Sequence, residues 1–175
     1  VIKHRQNTDS LTLYTNIIDA LVSDGFIIVP DALDPQLKKN LLYYAQDQKN
    51  FRHARISSTS AQHVDPTKRS DSILWLDEDS SIQSEYLAFC TELQKRLNRE
   101  LFLGLNYYES HFSIYEEGGF YEKHVDAFKN SKNRVVTTVY YLNQEWGKNN
   151  GGELVIYNDE NSILTSIIPQ GNTLV

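Results

Sequence analysis

The tripeptide His-Val-Asp occurs twice, at residues 63–65 in "SAQHVDPTK" and at residues 124–126 in "GGFYEKHVDAF". An imidazole and a carboxylate two residues apart can hold one metal ion, because residues i and i+2 of an extended chain face the same side. The tripeptide alone decides little. With 5 His and 23 acidic residues in 175, chance should yield roughly one H-x-[DE]. The surroundings separate the two copies. Residues 50–70 are polar, rich in Ser and without periodicity, so they read as a long exposed loop. A metal site needs ligands held by packed elements, and His63 and Asp65 are accordingly read as solvated loop residues. His124 and Asp126 follow the strand-like "HFSIY" and a Gly118-Gly119 turn and precede a strongly β segment. That places them at the mouth of a β-structure, where both side chains could reach one ion.

The elements that must position this pair are legible in the periodicity. "DSLTLYTNIIDALVSDGF" predicts a helix capped by Asp9 or Ser10, with Leu13, Ile17 and Leu21 on an apolar stripe and a stop at Asp24-Gly25. "FIIVP" follows as a short buried strand. "DPQLKKNLLYYAQDQ" predicts a second helix with Asp34 as cap and Pro35 in its first turn. "DSILWL" reads as a strand and "SSIQSEYLAFCTELQKRLNRELFL" as a third helix. From Asn106 onward the pattern becomes β: "NYYESHFSIY", "RVVTTVYYLN", "GELVIY", "SILTSII" and "NTLV" are short strands between Gly, Asn, Asp and Pro clusters. Helices first and strands later predict an α+β fold, a β-sandwich or barrel packed on an N-terminal helical layer.

Composition sets the outer limits. One domain is expected, with a helical layer over about residues 9–104 and a β core over about 106–175. A net charge of −6 argues against a nucleic-acid partner. No apolar run approaches the roughly 20 residues that span a bilayer. Cys90 is the single cysteine, so an internal disulfide or a cysteine-built zinc site is excluded, and a cytoplasmic location is expected. Oligomeric state leaves no mark on the sequence.

Two His and one carboxylate on one face, with open positions opposite, is the arrangement of non-haem Fe(II) oxygenases. The chain resembles that class in four separated motifs. "YEEGGFYEKHVDAF", "NRVVTTVYYLNQEW" and "GGELVIY" resemble successive strands of the Fe(II)/2-oxoglutarate-dependent dioxygenases of the prolyl-hydroxylase subgroup, which includes the oxygen-sensing hydroxylases. "KRSDSILWL" is similar to the stretch that borders the mobile substrate loop of that subgroup. The resemblance covers most of residues 66–175 and implies a double-stranded β-helix, or jelly-roll, core. It implies that His124 and Asp126 are two of three Fe(II) ligands and carry the catalysis. Tyr115, Tyr121 and Tyr141 match positions lining the 2-oxoglutarate pocket, a role that suits a phenol's apolar ring and hydrogen-bonding hydroxyl. Arg69, Asp71 and Arg134 match polar positions near the substrate entrance, and Asp71 and Arg134 could pair across it. Trp75 reads as a packing residue, and His111 as a hydrogen-bonded core histidine.

The implied cofactors are Fe(II), 2-oxoglutarate and O2, with ascorbate as a candidate reductant. The implied reaction is oxidative decarboxylation of 2-oxoglutarate to succinate and CO2, coupled to hydroxylation of a C–H bond. Asp126 bears on the reaction type, because related halogenases leave the carboxylate position vacant for a halide. A prolyl residue of a protein or peptide is the implied substrate, with the loop at 50–70 folding over it. The rival readings are a non-catalytic or incomplete jelly-roll that binds a ligand, and a 2-oxoglutarate oxygenase acting on a small molecule. The chain departs from the family in one respect. The third ligand is expected to be a His on a later strand with a basic residue beyond it, yet His4, His53, His63 and His111 all precede His124. "GNTLV" reads as a strand cut short, so both residues are expected beyond Val175.

Overall fold

The computed structural model describes residues 10–57, 62–63, 65–78, 80–125 and 135–175. Helix α1 (Ser10–Ser23) turns Leu13, Tyr14, Ile17 and Ile18 inward, the spacing of one helical face. It stops where the amides of Asp24 and Gly25 both donate to the Ala20 carbonyl, and Gly25 takes a φ of +79° that a side chain would resist. Helix α2 (Pro35–Asp47) starts as its sequence predicts: the Asp34 side chain accepts from the Gln36 amide at 2.7 Å, and Pro35 occupies the first turn. Its Leu37, Leu41 and Ala45 are buried.

The described residues of the stretch at 50–70 include paired backbone, where its polarity predicts a loop. Strand β1 (Arg52–His53) pairs with strand β4 (Ser72–Trp75), and β2 (Ile56–Ser57) pairs with β3 (Gln62–His63) as a hairpin. Backbone pairing needs no apolar alternation on an exposed edge, so periodicity missed these short strands. Helix α3 (Ser81–Leu101) buries Tyr86, Phe89, Cys90, Leu93 and Leu97 toward α1 and α2. Its Gln83, 1% exposed, donates to the Tyr44 hydroxyl and to Asp77 Oδ1, fixing the turn that leaves β4. Beyond α3, Asn98 clamps the chain reversal by bonding both the amide and the carbonyl of Leu105.

Strand β5 (His111–Ile114) completes an antiparallel sheet ordered β1-β4-β5, and β6 (Leu154–Tyr157) pairs with β7 (Ile163–Ile167). Residues 173–175, the predicted final strand, run between two earlier segments. Leu174 exchanges both backbone bonds with Val29 (2.8 and 2.9 Å), and Val175 does so with Val139 (2.9 Å each). "FIIVP" and "VYY" are thus extended and paired, as antiparallel bridges rather than long strands. Val29, Phe112 and Leu174 meet the three helices in one continuous core. The architecture is a mixture of helices and antiparallel β-structure. Among the described residues no helix is long and apolar enough to cross a membrane.

Candidate active site

Two segments far apart in sequence lie against each other at the exposed end of this sheet. The first begins at Asp65, whose carboxylate accepts from the Thr67 amide (3.0 Å) and hydroxyl (2.6 Å) while its carbonyl accepts from Lys68 and Arg69. Asp65 is a partly accessible loop residue, as expected, and it also anchors a turn, for which the Asp-Pro-Thr sequence is a signature. The turn delivers residues 68–71 alongside residues 120–122. Ser70 donates its amide to the Phe120 carbonyl at 2.9 Å and receives the Phe120 amide on Oγ at 2.8 Å; Glu122 donates to the Lys68 carbonyl at 2.8 Å. Arg69 and Tyr121 face each other as a bridge pair.

The second segment reaches this position through a tight turn. The Gly119 amide donates to the Glu116 carbonyl at 2.7 Å, and Gly118 has a φ of +75°. A Cβ at Gly119 would stand 2.7 Å from the Glu116 carbonyl oxygen and 3.2 Å from Ser70 Oγ. Only glycine lets Phe120 come this close to Ser70.

Extended backbone puts Arg69 and Asp71 on one side, and they form a two-pronged ion pair, Nε to Oδ1 at 2.7 Å and Nη2 to Oδ2 at 2.6 Å. The Asp71 side chain is wholly buried and that of Arg69 is 12% exposed. Burial by itself would make the guanidinium a stronger acid, but the bonds and charge of Asp71 more than offset this and its pKa is raised. The guanidinium carbon lies 4.3 Å from the centre of the Tyr121 ring, and the His124 imidazole stacks on Tyr121 at 3.7 Å and 20°. Nδ1 of His124 is 2.6 Å from the Glu122 carbonyl oxygen. A proton on Nδ1 is held by that carbonyl, which leaves the lone pair on Nε2, the nitrogen a metal would take. The neighbouring Lys123 is tied the other way, to Asn161 Oδ1 at 2.7 Å and over the Tyr157 ring at 3.8 Å, which anchors the segment to the β6–β7 turn.

Tyr121 and Tyr115 lie within electrostatic reach of the Arg69 guanidinium, and Tyr141 within reach of Tyr115. Burial raises the pKa of Tyr115; the charge of Asp71 raises it further, Arg69 lowers it, and Tyr121 and Tyr141 add to the rise. Tyr141, whose backbone bonds Asn172 and Thr173, is pushed up to about 12 by burial. Both hydroxyls therefore keep their protons at neutral pH and can donate to a carboxylate.

Six of the eight sequence-nominated residues come together in this way: Arg69, Asp71, Tyr115, Tyr121, His124 and Tyr141. Asp126 and Arg134 fall outside the described residues. The expected Asp71–Arg134 pairing lies outside the described residues with Arg134; within them Asp71 pairs with Arg69, its i−2 neighbour on the same side of the extended backbone. His111 is exposed on β5, with the half-exposed Trp75 packed edge-on at 5.0 Å, so it is not a core histidine. Lys123, Ser70 and Asp65 escaped sequence reasoning as positioning residues; only Asp65 had a local signal. Among the described residues no group of three or more His, Cys, Asp or Glu gathers. The described part thus offers one candidate metal-binding imidazole, that of His124, with Nδ1 against a carbonyl, near neutral phenols that suit an anionic co-substrate. The residues present fit an Fe(II)/2-oxoglutarate site.

Comparison with known proteins agrees. Residues 110–175 match the family model described as the 2OG-Fe(II) oxygenase superfamily. The chain is similar to the crystal structure of a Pseudomonas putida prolyl-4-hydroxylase, at a TM-score of 0.81 and 29% identity over 92% of this chain and 83% of that one. It is also similar to a prolyl hydroxylase from Trichoplax adhaerens, solved in complex with a hypoxia inducible factor oxygen degradation domain peptide fragment, at a TM-score of 0.72 and 25% identity over 94% of this chain and 77% of that one.

Proposed function

The chain being a 2-oxoglutarate- and Fe(II)-dependent dioxygenase of the prolyl-hydroxylase-like kind, we propose that it hydroxylates a prolyl residue of a protein or peptide. The jelly-roll core and the roles of His124, Asp126, Tyr115, Tyr121 and Tyr141 belong to this proposal. One observation carries it: His124 stacks on Tyr121, which is bridged to Arg69 and lies within electrostatic reach of Tyr115, itself coupled to Tyr141. The peptide held by the Trichoplax adhaerens neighbour supports a peptide substrate.

Bound Fe(II) and 2-oxoglutarate supply the oxidising chemistry, consuming O2 and yielding succinate and CO2. This chain's residues do the rest. His124, and Asp126 by the family resemblance, would hold the metal. Tyr115 and Tyr141, still protonated at neutral pH, donate hydrogen bonds to the co-substrate and orient it. Arg69 and Asp71 neutralise each other at the rim, so a buried charge there is compensated. The half-exposed Phe120 and Tyr115, at either end of the turn that meets residues 68–71, give a peptide apolar surface that keeps water from the reacting carbon.

The test uses the full-length protein. Under anaerobic conditions with Fe(II) and 2-oxoglutarate it should show a weak visible charge-transfer band, and in air a prolyl peptide should stimulate succinate formation and gain one oxygen. Succinate formation that no prolyl peptide accelerates, while a small molecule does, refutes the substrate assignment.

A further inference from the structure

An exposed imidazole has two side-chain torsions to fix before it can serve as a rigid ligand, and freezing them costs entropy. In His124 the Glu122 carbonyl restrains Nδ1, and the Tyr121 ring, 3.7 Å away and 20° from parallel, restrains the plane. Tyr121 is itself restrained. It is paired with Arg69 across the backbone, and the Arg69 guanidinium lies 4.3 Å from its ring centre. The guanidinium is fixed in turn by two bonds to a carboxylate with no solvent exposure, and the Asp71 carbonyl accepts from the buried Ala54 at 3.0 Å. An ion pair with one partner wholly buried and the other nearly so is expensive and adds little stability over an apolar pair. It does hold a planar cation at one place and one angle, which a lysine cannot do.

Resting on the dioxygenase reading, we infer that Arg69 and Tyr121 are positioning residues for the His124 imidazole. The face of the Tyr121 ring carries the imidazole, and the Arg69–Asp71 pair holds that ring in place. The role differs from the one the family resemblance implies for Tyr121, where the hydroxyl meets the co-substrate. It also makes the segment at 68–71, which continues from the β2–β3 hairpin, a mechanical link between that hairpin and the metal ligand.

The experiment separates ring from hydroxyl in the full-length protein, with Mn(II) as a redox-silent probe and no 2-oxoglutarate present. Tyr121→Leu should weaken Mn(II) binding about ten-fold or more, the usual effect of losing a partner that orients a ligand. Tyr121→Phe should bind within about two-fold of the wild type, because the ring remains. Arg69→Lys should fall between the two. In the metal-free protein, NMR of the His124 ring should show one rotamer in the wild type and Tyr121→Phe, and averaging in Tyr121→Leu. Tyr121→Leu that is folded by circular dichroism yet binds Mn(II) as the wild type does would overturn the inference. So would Tyr121→Phe weakened as far as Tyr121→Leu, which would assign the work to the hydroxyl. If Tyr121→Leu does not fold, Arg69→Lys decides, and unchanged Mn(II) affinity with an unaveraged His124 ring overturns the role. Failure of every prolyl peptide to turn over, with the Mn(II) pattern as expected, refutes the substrate assignment and still supports the positioning role.

Discussion

The two His-Val-Asp copies share three residues and have opposite fates. In the first, Asp65 turns inward to its own backbone neighbours, closing a turn with Thr67, Lys68 and Arg69. In the second, His124 stands exposed on an aromatic platform with one nitrogen held by a carbonyl. The difference is not in the tripeptide but in what precedes and follows it. Pro66 after the first copy favours a turn, whereas the Gly118-Gly119 reversal before the second brings it against residues 68–71. The copies are also connected. The turn that Asp65 anchors launches the strip bearing Arg69 and Asp71, and that strip pairs with the segment leading to His124. One copy builds the support on which the other can act.

The strip between them is where the comparison breaks most easily. Asp71→Ala removes one partner of a buried ion pair and leaves Arg69 uncompensated, so urea denaturation should show a loss of about 3–5 kcal/mol. A loss below about 1 kcal/mol would mean that the guanidinium finds water or another partner. Next in size, His124→Ala should weaken Mn(II) binding by about a hundred-fold, while His63→Ala changes it less than two-fold, as roughly expected for a ligand against a bystander. Equal losses would erase the distinction between the copies.

A pH titration asks whether the core, with Tyr14, Tyr86 and Tyr140, and the surroundings of the second copy, with Tyr115 and Tyr141, are dry. Tyr14, Tyr86, Tyr115, Tyr140 and Tyr141, five of the 11 tyrosines, have pKa values raised by burial. In the unfolded chain each ionises near 10, so between that pH and the folded value the unfolded state has lost protons that the native state keeps. Their contribution to stability is full below pH 10 and declines as the pH rises through about 12 for Tyr141. Absorbance at 295 nm should show these phenols ionising late, together with unfolding. Early ionisation of all tyrosines would mean a wet pocket. The smallest effect belongs to Asp65→Ala, which should cost about 1 kcal/mol through the lost turn bonds and leave Mn(II) affinity intact.

Local chemistry made much of this legible. Helical periodicity placed α1, α2 and α3, since each has one face to bury, and Asp34-Pro35 marked a helix start that backbone geometry requires. Motif resemblance nominated the tyrosines, Arg69, Asp71 and His124. What failed was anything that depended on a partner distant in sequence. The stretch at 50–70 read as loop because exposed edge strands lack alternation, yet β1 pairs with β4 across it. The Arg69–Asp71 pair was not foreseen either, although extended backbone puts the two on one side.

By itself, then, the sequence determined which segments would be helical, where the turns would fall and which residues could do chemistry, because those properties depend on near neighbours and side-chain type. Tertiary structure alone decided that residues 173–175 would run between Val29 and residues 139–141, and that Arg69, Tyr121 and His124 would stack in one place. Such pairings are settled by which exposed edges and ring faces meet when the core closes, and no local pattern encodes that meeting.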